Sequence, residues 1–252
     1  MTDPLILTRR VEGVEHITLN RPHRHNALVP ELLRPLRQAL EAAAESEAEA
    51  VLLRAEGRSF STGGDLLGFR QHRKNIADYA DELVGLLNDC IMALNGLPCP
   101  AACAVQGQVT GGSLGFLLAC DRVFMSRQAS ITPFYTMVGF SPDGGWTALL
   151  PKLIGRQQTM HWLLTNTRHE AGTCRELGIV HEVVGHDPTA AAGQWIATFC
   201  TTRPGARRRV RELLCNDANT LRARLDAERE SFVAQIQSAE ALEGIDHFLG
   251  NN

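Results

Sequence analysis

A chain of 252 residues has the length of one large domain, or of a domain with an appendage. Its 44% hydrophobic and 21% charged content is ordinary for a globular protein, and a net charge of −3 offers no global field for nucleic acid or an anionic membrane. Seven cysteines without a CxxC pair suggest reduced thiols, MTDPLILTRR lacks a signal-peptide pattern, and no apolar run reaches membrane-spanning length. A cytoplasmic protein with no membrane or nucleic-acid partner is expected.

Residues 14–20, VEHITLN, alternate and read as a strand that Arg21-Pro22 ends. Pro30 to Ala44 reads as a helix with Leu32, Leu33, Leu36 and Leu40 on one side, its regular part expected to begin after Pro35. Val51 to Ala55 is a short apolar strand running through Gly57 into the loop Ser59-Phe60-Ser61-Thr62-Gly63-Gly64-Asp65-Leu66. Residues 78–95 place Leu83, Leu86, Leu87, Cys90, Ile91 and Leu94 at helical spacing. Ala101 to Val105 is a buried strand, Gly107, Gly111 and Gly112 mark a sharp turn, and Leu114, Phe116, Leu117, Leu118 and Ala119 read as a buried helix.

Arg122 to Ser126 and Ala129 to Thr132 are strands, and a polar loop carries Ser141-Pro142-Asp143-Gly144-Gly145. A helix is predicted through Trp146 to Leu150, and Ile179 to Val184 reads as the last strand. Beyond about residue 187 only charged helical sequence remains, as in LRARLDAERESFVAQIQ. Strands alternating with helices predict an α/β fold, divided into a core over 1–190 and a helical C-terminal region over 191–252.

The strand–glycine turn–helix at 104–121, AVQGQVTGGSLGFLLACD, admits three readings. Gly111-Gly112-Ser113-Leu114-Gly115 matches GxSxG, a nucleophile elbow, with Asp187 or Asp226 and His247 as triad partners. Nucleotide binding lacks both GxGxxG after the first strand and GxxxxGK[ST]. In the third reading this turn and the 59–66 loop each supply a backbone N–H to one oxygen, an oxyanion hole for a thioester enolate.

Taken together, these residues resemble the enoyl-CoA hydratase/isomerase (crotonase) superfamily. The resemblance runs in order through His16-Ile17-Thr18-Leu19-Asn20-Arg21-Pro22, Asn26-Ala27-Leu28, Phe60 to Leu66 and the 104–121 stretch. It continues through Val138 to Trp146 and Leu150-Pro151, and ends at Glu243-Gly244-Ile245-Asp246-His247-Phe248-Leu249. It implies a spiral of β-β-α units with a helical trimerisation region, assembled as a homotrimer or a hexamer made of two trimers. It also implies an acyl-CoA thioester substrate, with CoA as the substrate's carrier rather than a cofactor, and no metal. The oxyanion donors fall on the N–H groups of Gly64 and Gly112, and acyl-CoA contacts fall near Ala27, Thr62 and Leu66.

Hydratases of that family carry two glutamates, and the corresponding positions here are Gly115 and Tyr135. Hydration needs one group to activate water and another to handle the Cα proton. Asp143 stands where some isomerases of the family, including ring-epoxide isomerases, carry a catalytic aspartate. The resemblance therefore implies an enoyl-CoA isomerase working through one base, with Tyr135 lining the acyl pocket or filling core. A hydratase using another acid, a serine hydrolase or thioesterase using Ser113, and a non-catalytic acyl-CoA-binding member are the alternatives.

Plainer roles stand beside these. Asp143 in Ser-Pro-Asp-Gly-Gly could be a turn or cap residue, Gly64 and Gly112 simple turn glycines, and Ser113 a small residue at a crowded helix start. Asp65 is expected to hold its own loop. His23 and His25 lack partners at metal-ligand spacing. His72, Arg73 and Lys74 read as a solvated face, Arg207, Arg208, Arg209 and Arg211 as a charged face of one helix, and Trp146, Trp162 and Trp195 as core or interface.

Overall fold

The computed structural model describes residues 3–250 apart from 186 and 216. Among the described residues nine strands form two sheets. They are β1 (Ile6–Val11), β2 (Val14–Leu19), β3 (Ala50–Ala55), β4 (Ala101–Val105), β5 (Gln108–Thr110), β6 (Arg122–Ser126), β7 (Ser130–Thr132), β8 (His169–Glu170) and β9 (Glu182–Val184). The six-stranded sheet runs β1-β2-β3-β4-β6-β9, with β1 antiparallel and the rest parallel, and the three-stranded sheet runs β5-β7-β8. The chain alternates between them from β4 to β7, the spiral expected from the resemblance.

Among the described residues twelve α-helices accompany the sheets: α1 (Pro30–Glu45), α2 (Leu66–Gln71), α3 (Ile76–Asn95), α4 (Leu114–Ala119), α5 (Tyr135–Val138) and α6 (Leu150–Ile154), then α7 (Arg156–Thr165), α8 (Ala171–Glu176), α9 (Pro188–Cys200), α10 (Pro204–Leu214), α11 (Ala218–Gln235) and α12 (Ala239–Gly250). Among the described residues no helix is long and apolar enough to cross a membrane.

Both faces of the central strands are covered, which is why they read as continuous apolar runs rather than alternating ones. Side chains alternate across a strand. Ala50, Leu52, Ala102, Ala104 and Phe124 meet Ala192 and Ile196 of α9 on one face. Val51, Leu53, Ala101, Cys103, Val105, Val123 and Met125 point into the main core, where α1, α3 and α4 pack. The C-terminal helices thus return to the core: α9 lies on the sheet, α11 along α3, and α12 against α2 and α5.

Three predicted elements differ. Helix α1 starts at Pro30 and contains Pro35. The N–H that Pro35 lacks would have met the carbonyl of Glu31, an exposed residue, so that carbonyl can turn to water. The last strand covers only Glu182–Val184 of the predicted span. The helix predicted from Trp146 begins at Leu150, and residues 144–149 form turns instead. Strands β1, β5 and β8, absent from the sequence reading, are an edge hairpin partner, a three-residue link after Gly107 and a two-residue strand paired with β7.

Candidate active site

The loop between β3 and α2 is sewn in place from both sides. Leu28 N–H donates to Gly63 O (2.7 Å), and Asp65 N–H donates to Leu28 O (3.0 Å). In such a parallel bridge the residue between the two bonded ones, Gly64, turns its own N–H and C=O away from Leu28. Ser61 is bridged to Val109 of β5 in the same way. Asp65 caps α2 by accepting from Leu67 N–H (3.1 Å), and ion pairs at 2.9 Å join it to Arg21 and Arg24. Burial pushes its carboxyl up, but the two guanidinium groups outweigh burial and hold it below the usual carboxylate range. Its expected role in its own loop holds.

The second junction is a single helical turn, Gly111–Ser113, leading into α4. Gly112 is the second residue of this start, where N–H groups have no partner inside the helix. Gly64 and Gly112 both line one cavity of about 380 Å³, walled by Leu28, Thr62, Leu66, Leu83, Leu87, Val138 and a group of phenylalanines. Phe69, Phe140 and Phe232 pack edge to face or tilted, with ring centroids 5.3–6.0 Å apart.

Asp143 enters this cavity from a loop with an unusual support. Gly144 (φ +61°) and Gly145 (φ +86°) adopt left-handed backbone, which lets the loop lie against the main chain of Gly112. A carboxylate takes the N–H groups that follow. Glu228 of α11 accepts from Gly145 N–H (2.7 Å), Thr147 N–H (2.6 Å), Ala148 N–H (2.9 Å) and Thr147 Oγ1–H (2.7 Å). Left-handed backbone at Gly144 and Gly145 precludes a right-handed helix across them, and regular helix begins only at Leu150. Trp146 is fully buried and donates its Nε1–H to Gly111 O (2.8 Å), tying the loop to the second junction.

Asp143 is 7% exposed as a residue, and its carboxylate lies beside Gly112: a β-carbon added there would meet Oδ1 at 2.9 Å and Oδ2 at 3.0 Å. Tyr135 donates its hydroxyl to Oδ1 (2.6 Å) and also reaches Asp143 O (3.1 Å). Burial, with the Glu228 charge adding to it, raises the Asp143 carboxyl to about 7 against the pull of the Tyr135 hydrogen bond and a backbone hydrogen bond. A carboxyl in that range can accept a proton near neutrality and also return it.

Of the residues singled out in the sequence, Asp143, Gly64, Gly112, Thr62, Leu66 and Tyr135 share this cavity. Ala27 is buried beside Leu28 and is not among the residues lining it. Gly115 has no room for a side chain, since a β-carbon there would run into Ile91 and Gly144 O. Ser113 is fully buried, its hydroxyl donating to Thr110 O (2.7 Å) and Ser61 O (3.2 Å), while Asp187 caps α9 through Thr189 N–H. A hydroxyl held by two carbonyls is no nucleophile. A fluorophosphonate probe is expected to leave the native chain unlabelled; covalent labelling lost in Ser113→Ala would contradict this.

Among the basic residues, Arg208 and Arg209 pair with Glu212, and Arg207 with Glu49. Arg211 departs from the expected charged face: it is buried, pairs with Asp121 (2.8 Å) and caps the end of α3 through the carbonyls of Leu94, Asn95 and Leu97. Arg73 pairs with Asp246, and His72 stacks on Tyr79. Among the described residues no group of three or more His, Cys, Asp or Glu could hold a metal ion.

Sequence reasoning missed Glu228. The signal was present: Leu221, Leu225, Glu228 and Phe232 occupy one helical face, so a carboxylate interrupts an apolar stripe.

The model of the enoyl-CoA hydratase/isomerase family matches residues 9–251. The chain is 31% identical over 248 residues to the 1,2-epoxyphenylacetyl-CoA isomerase of Escherichia coli (strain K12), covering 97% of this chain and 95% of that protein. It is 30% identical over 184 residues to the 4-chlorobenzoyl coenzyme A dehalogenase-2 of an Arthrobacter species, covering 72% and 67%. The crystal structure of an enoyl-CoA hydratase from Bacillus halodurans superposes with a TM-score of 0.91 at 24% identity, covering 96% of this chain and 99% of the other.

Proposed function

The chain belongs to the enoyl-CoA hydratase/isomerase family, and from that premise we propose that it is an enoyl-CoA isomerase that moves a double bond through a thioester enolate, with Asp143 as its base. The observation that carries this reading is one buried carboxylate, beside Gly112 and in the same cavity as Gly64, where the two hydratase glutamate positions are Gly115 and Tyr135. The substrate's thioester oxygen sits between the N–H groups of Gly64 and Gly112. Asp143 removes a proton next to the developing dienolate, and negative charge moves onto the thioester oxygen. The same carboxyl then returns the proton two carbons away, so the double bond shifts and no water is consumed.

Thr62 and Leu66, in the cavity wall, contact the acyl-CoA, with Ala27 near them. CoA is part of the substrate, and no separate cofactor takes part. A related rearrangement of a ring-bearing acyl group falls within the same reading. It is supported by the aromatic walls Phe69, Phe140 and Phe232 and by the name of the epoxyphenylacetyl-CoA relative. Exposed Val210, Leu213 and Leu214 on α10 support self-association into the trimer or hexamer that the family suggests.

The test is incubation with a 3-enoyl-CoA and, separately, a 2-enoyl-CoA in D₂O, with products read by mass spectrometry and NMR. Double-bond migration with deuterium at the α or γ carbon is expected. A 3-hydroxyacyl-CoA would replace this reading with hydration. Binding without product or exchange would favour a non-catalytic acyl-CoA-binding role.

A further inference from the structure

Tyr135 stands apart from the other cavity residues. Its ring packs edge-on against the buried Trp146, with centroids 6.0 Å apart. Its hydroxyl is spent on Asp143 rather than offered to the cavity, through the 2.6 Å bond to Oδ1 and the 3.1 Å contact with the backbone oxygen. The turn that carries it, α5, is entered through Phe134 at φ +64°, a conformation that a bulky L-residue rarely adopts. That entry aims the first residue of the turn back at the Asp143 loop, and local strain of this kind persists only where the surroundings over-determine it.

From this geometry we infer that Tyr135 is the positioning residue of Asp143: by donating to Oδ1 it fixes the carboxylate's rotation and leaves Oδ2 as the oxygen that meets the substrate. This rests on Asp143 being the base. To the roles the sequence left open for Tyr135, a wall of the acyl pocket or core filling, it adds one that acts through another residue.

The consequence is specific. A hydrogen-bond donor favours the charged form of a carboxylate, and Tyr135 is the donor side chain on Asp143. The other ionisable group facing Asp143 is Glu228 from α11, which disfavours that charge. Helix α3 faces it with Leu87, and the start of α4 with Gly112. With the hydroxyl gone, only a backbone hydrogen bond at Asp143 itself still opposes burial and Glu228, so Asp143 needs a higher pH to ionise.

The experiment compares Tyr135→Phe with the native chain, using the pH profiles of kcat and KM for isomerisation and, on the same proteins, NMR titration of ¹³C-labelled aspartate carboxyls. Tyr135→Phe is expected to move the acid limb of kcat up by about one pH unit. Below both limbs this lowers kcat about tenfold, because the ionised fraction falls tenfold per unit. By about pH 9 the two rates should converge to within roughly threefold, with KM changed less than about threefold. The Asp143 carbon resonance should titrate at correspondingly higher pH whether or not turnover is seen.

An unchanged limb and titration with a raised KM would overturn the inference and return Tyr135 to the acyl wall. Absence of turnover in the native chain, with the titration still displaced in Tyr135→Phe, would sink the isomerase reading while leaving the Tyr135–Asp143 coupling. An undisplaced titration would sink the coupling whatever the rates show.

Discussion

Asp143→Asn is expected to lower kcat for double-bond migration by about 10²–10⁴-fold, the usual worth of a positioned general acid–base group. Deuterium exchange at the α carbon should fall with it, because proton removal and return use the same carboxyl. Asparagine keeps the size of the side chain and an oxygen for the Tyr135 hydroxyl, so the cavity and KM should change little. In the native chain kcat should rise with pH through about 7, where the buried carboxyl ionises. Full activity in Asp143→Asn, or a profile flat from pH 5 to 9, would remove Asp143 from the mechanism.

Stability should move the other way. The Asp143 pKa is about 7 in the fold against an ordinary 3.8. The native state therefore holds a proton that the unfolded chain has released over this interval, so ionising Asp143 in place costs stability. The cost grows from about pH 4 to 7 and is constant above. Asp143→Asn removes it. Its Tm should exceed that of the native chain at pH 8 by more than at pH 4, a trade of stability for activity common at catalytic groups.

Gly112→Ala is expected to cost about 10²-fold in kcat, the scale of an ångström-sized misplacement of a reacting group. The backbone N–H survives in alanine, so the loss does not come from deleting a donor. It comes from the added methyl, which would stand 2.6 Å from Leu87 Cδ2 and 2.9 and 3.0 Å from the two Asp143 oxygens. Leu87 can give way, being the far end of a side chain. The carboxylate cannot, because Tyr135 and the Glu228-bound loop hold it. The double variant Gly112→Ala/Leu87→Ala separates the two collisions. Relief of the methyl's clash with Leu87 should make the two substitutions less than additive in stability, while kcat stays low. Recovery of kcat in the double variant would show that the Asp143 contact is harmless.

Local sequence was enough to specify much of this protein. Apolar runs at Val51 to Ala55 and Ala101 to Val105 are strands because their own composition suits burial on both faces. The periodicity of Leu83, Leu87, Ile91 and Leu94 makes α3 a helix with a single packed side. The glycines at 63–64 and 111–112 mark the two junctions that now share one cavity, Gly63 and Gly111 by their positive φ. Asp143 could be singled out by family position, and Ser113 set beside it as a rival.

Tertiary structure alone decided what those residues do to one another. Residues 144–149 form turns with left-handed backbone at Gly144 and Gly145, and their N–H groups are satisfied by a carboxylate 83 residues away in the chain. Tyr135 became a partner of Asp143 because α5 enters through a strained residue and folds back on the loop. The 3.8 of an ordinary aspartate became about 7 because the cavity, and no neighbour in sequence, removed its water. Propensity and periodicity act over a few residues. Burial, charge pairing and steric exclusion act between segments that only the finished fold brings together, and the chemistry of the site is made of those.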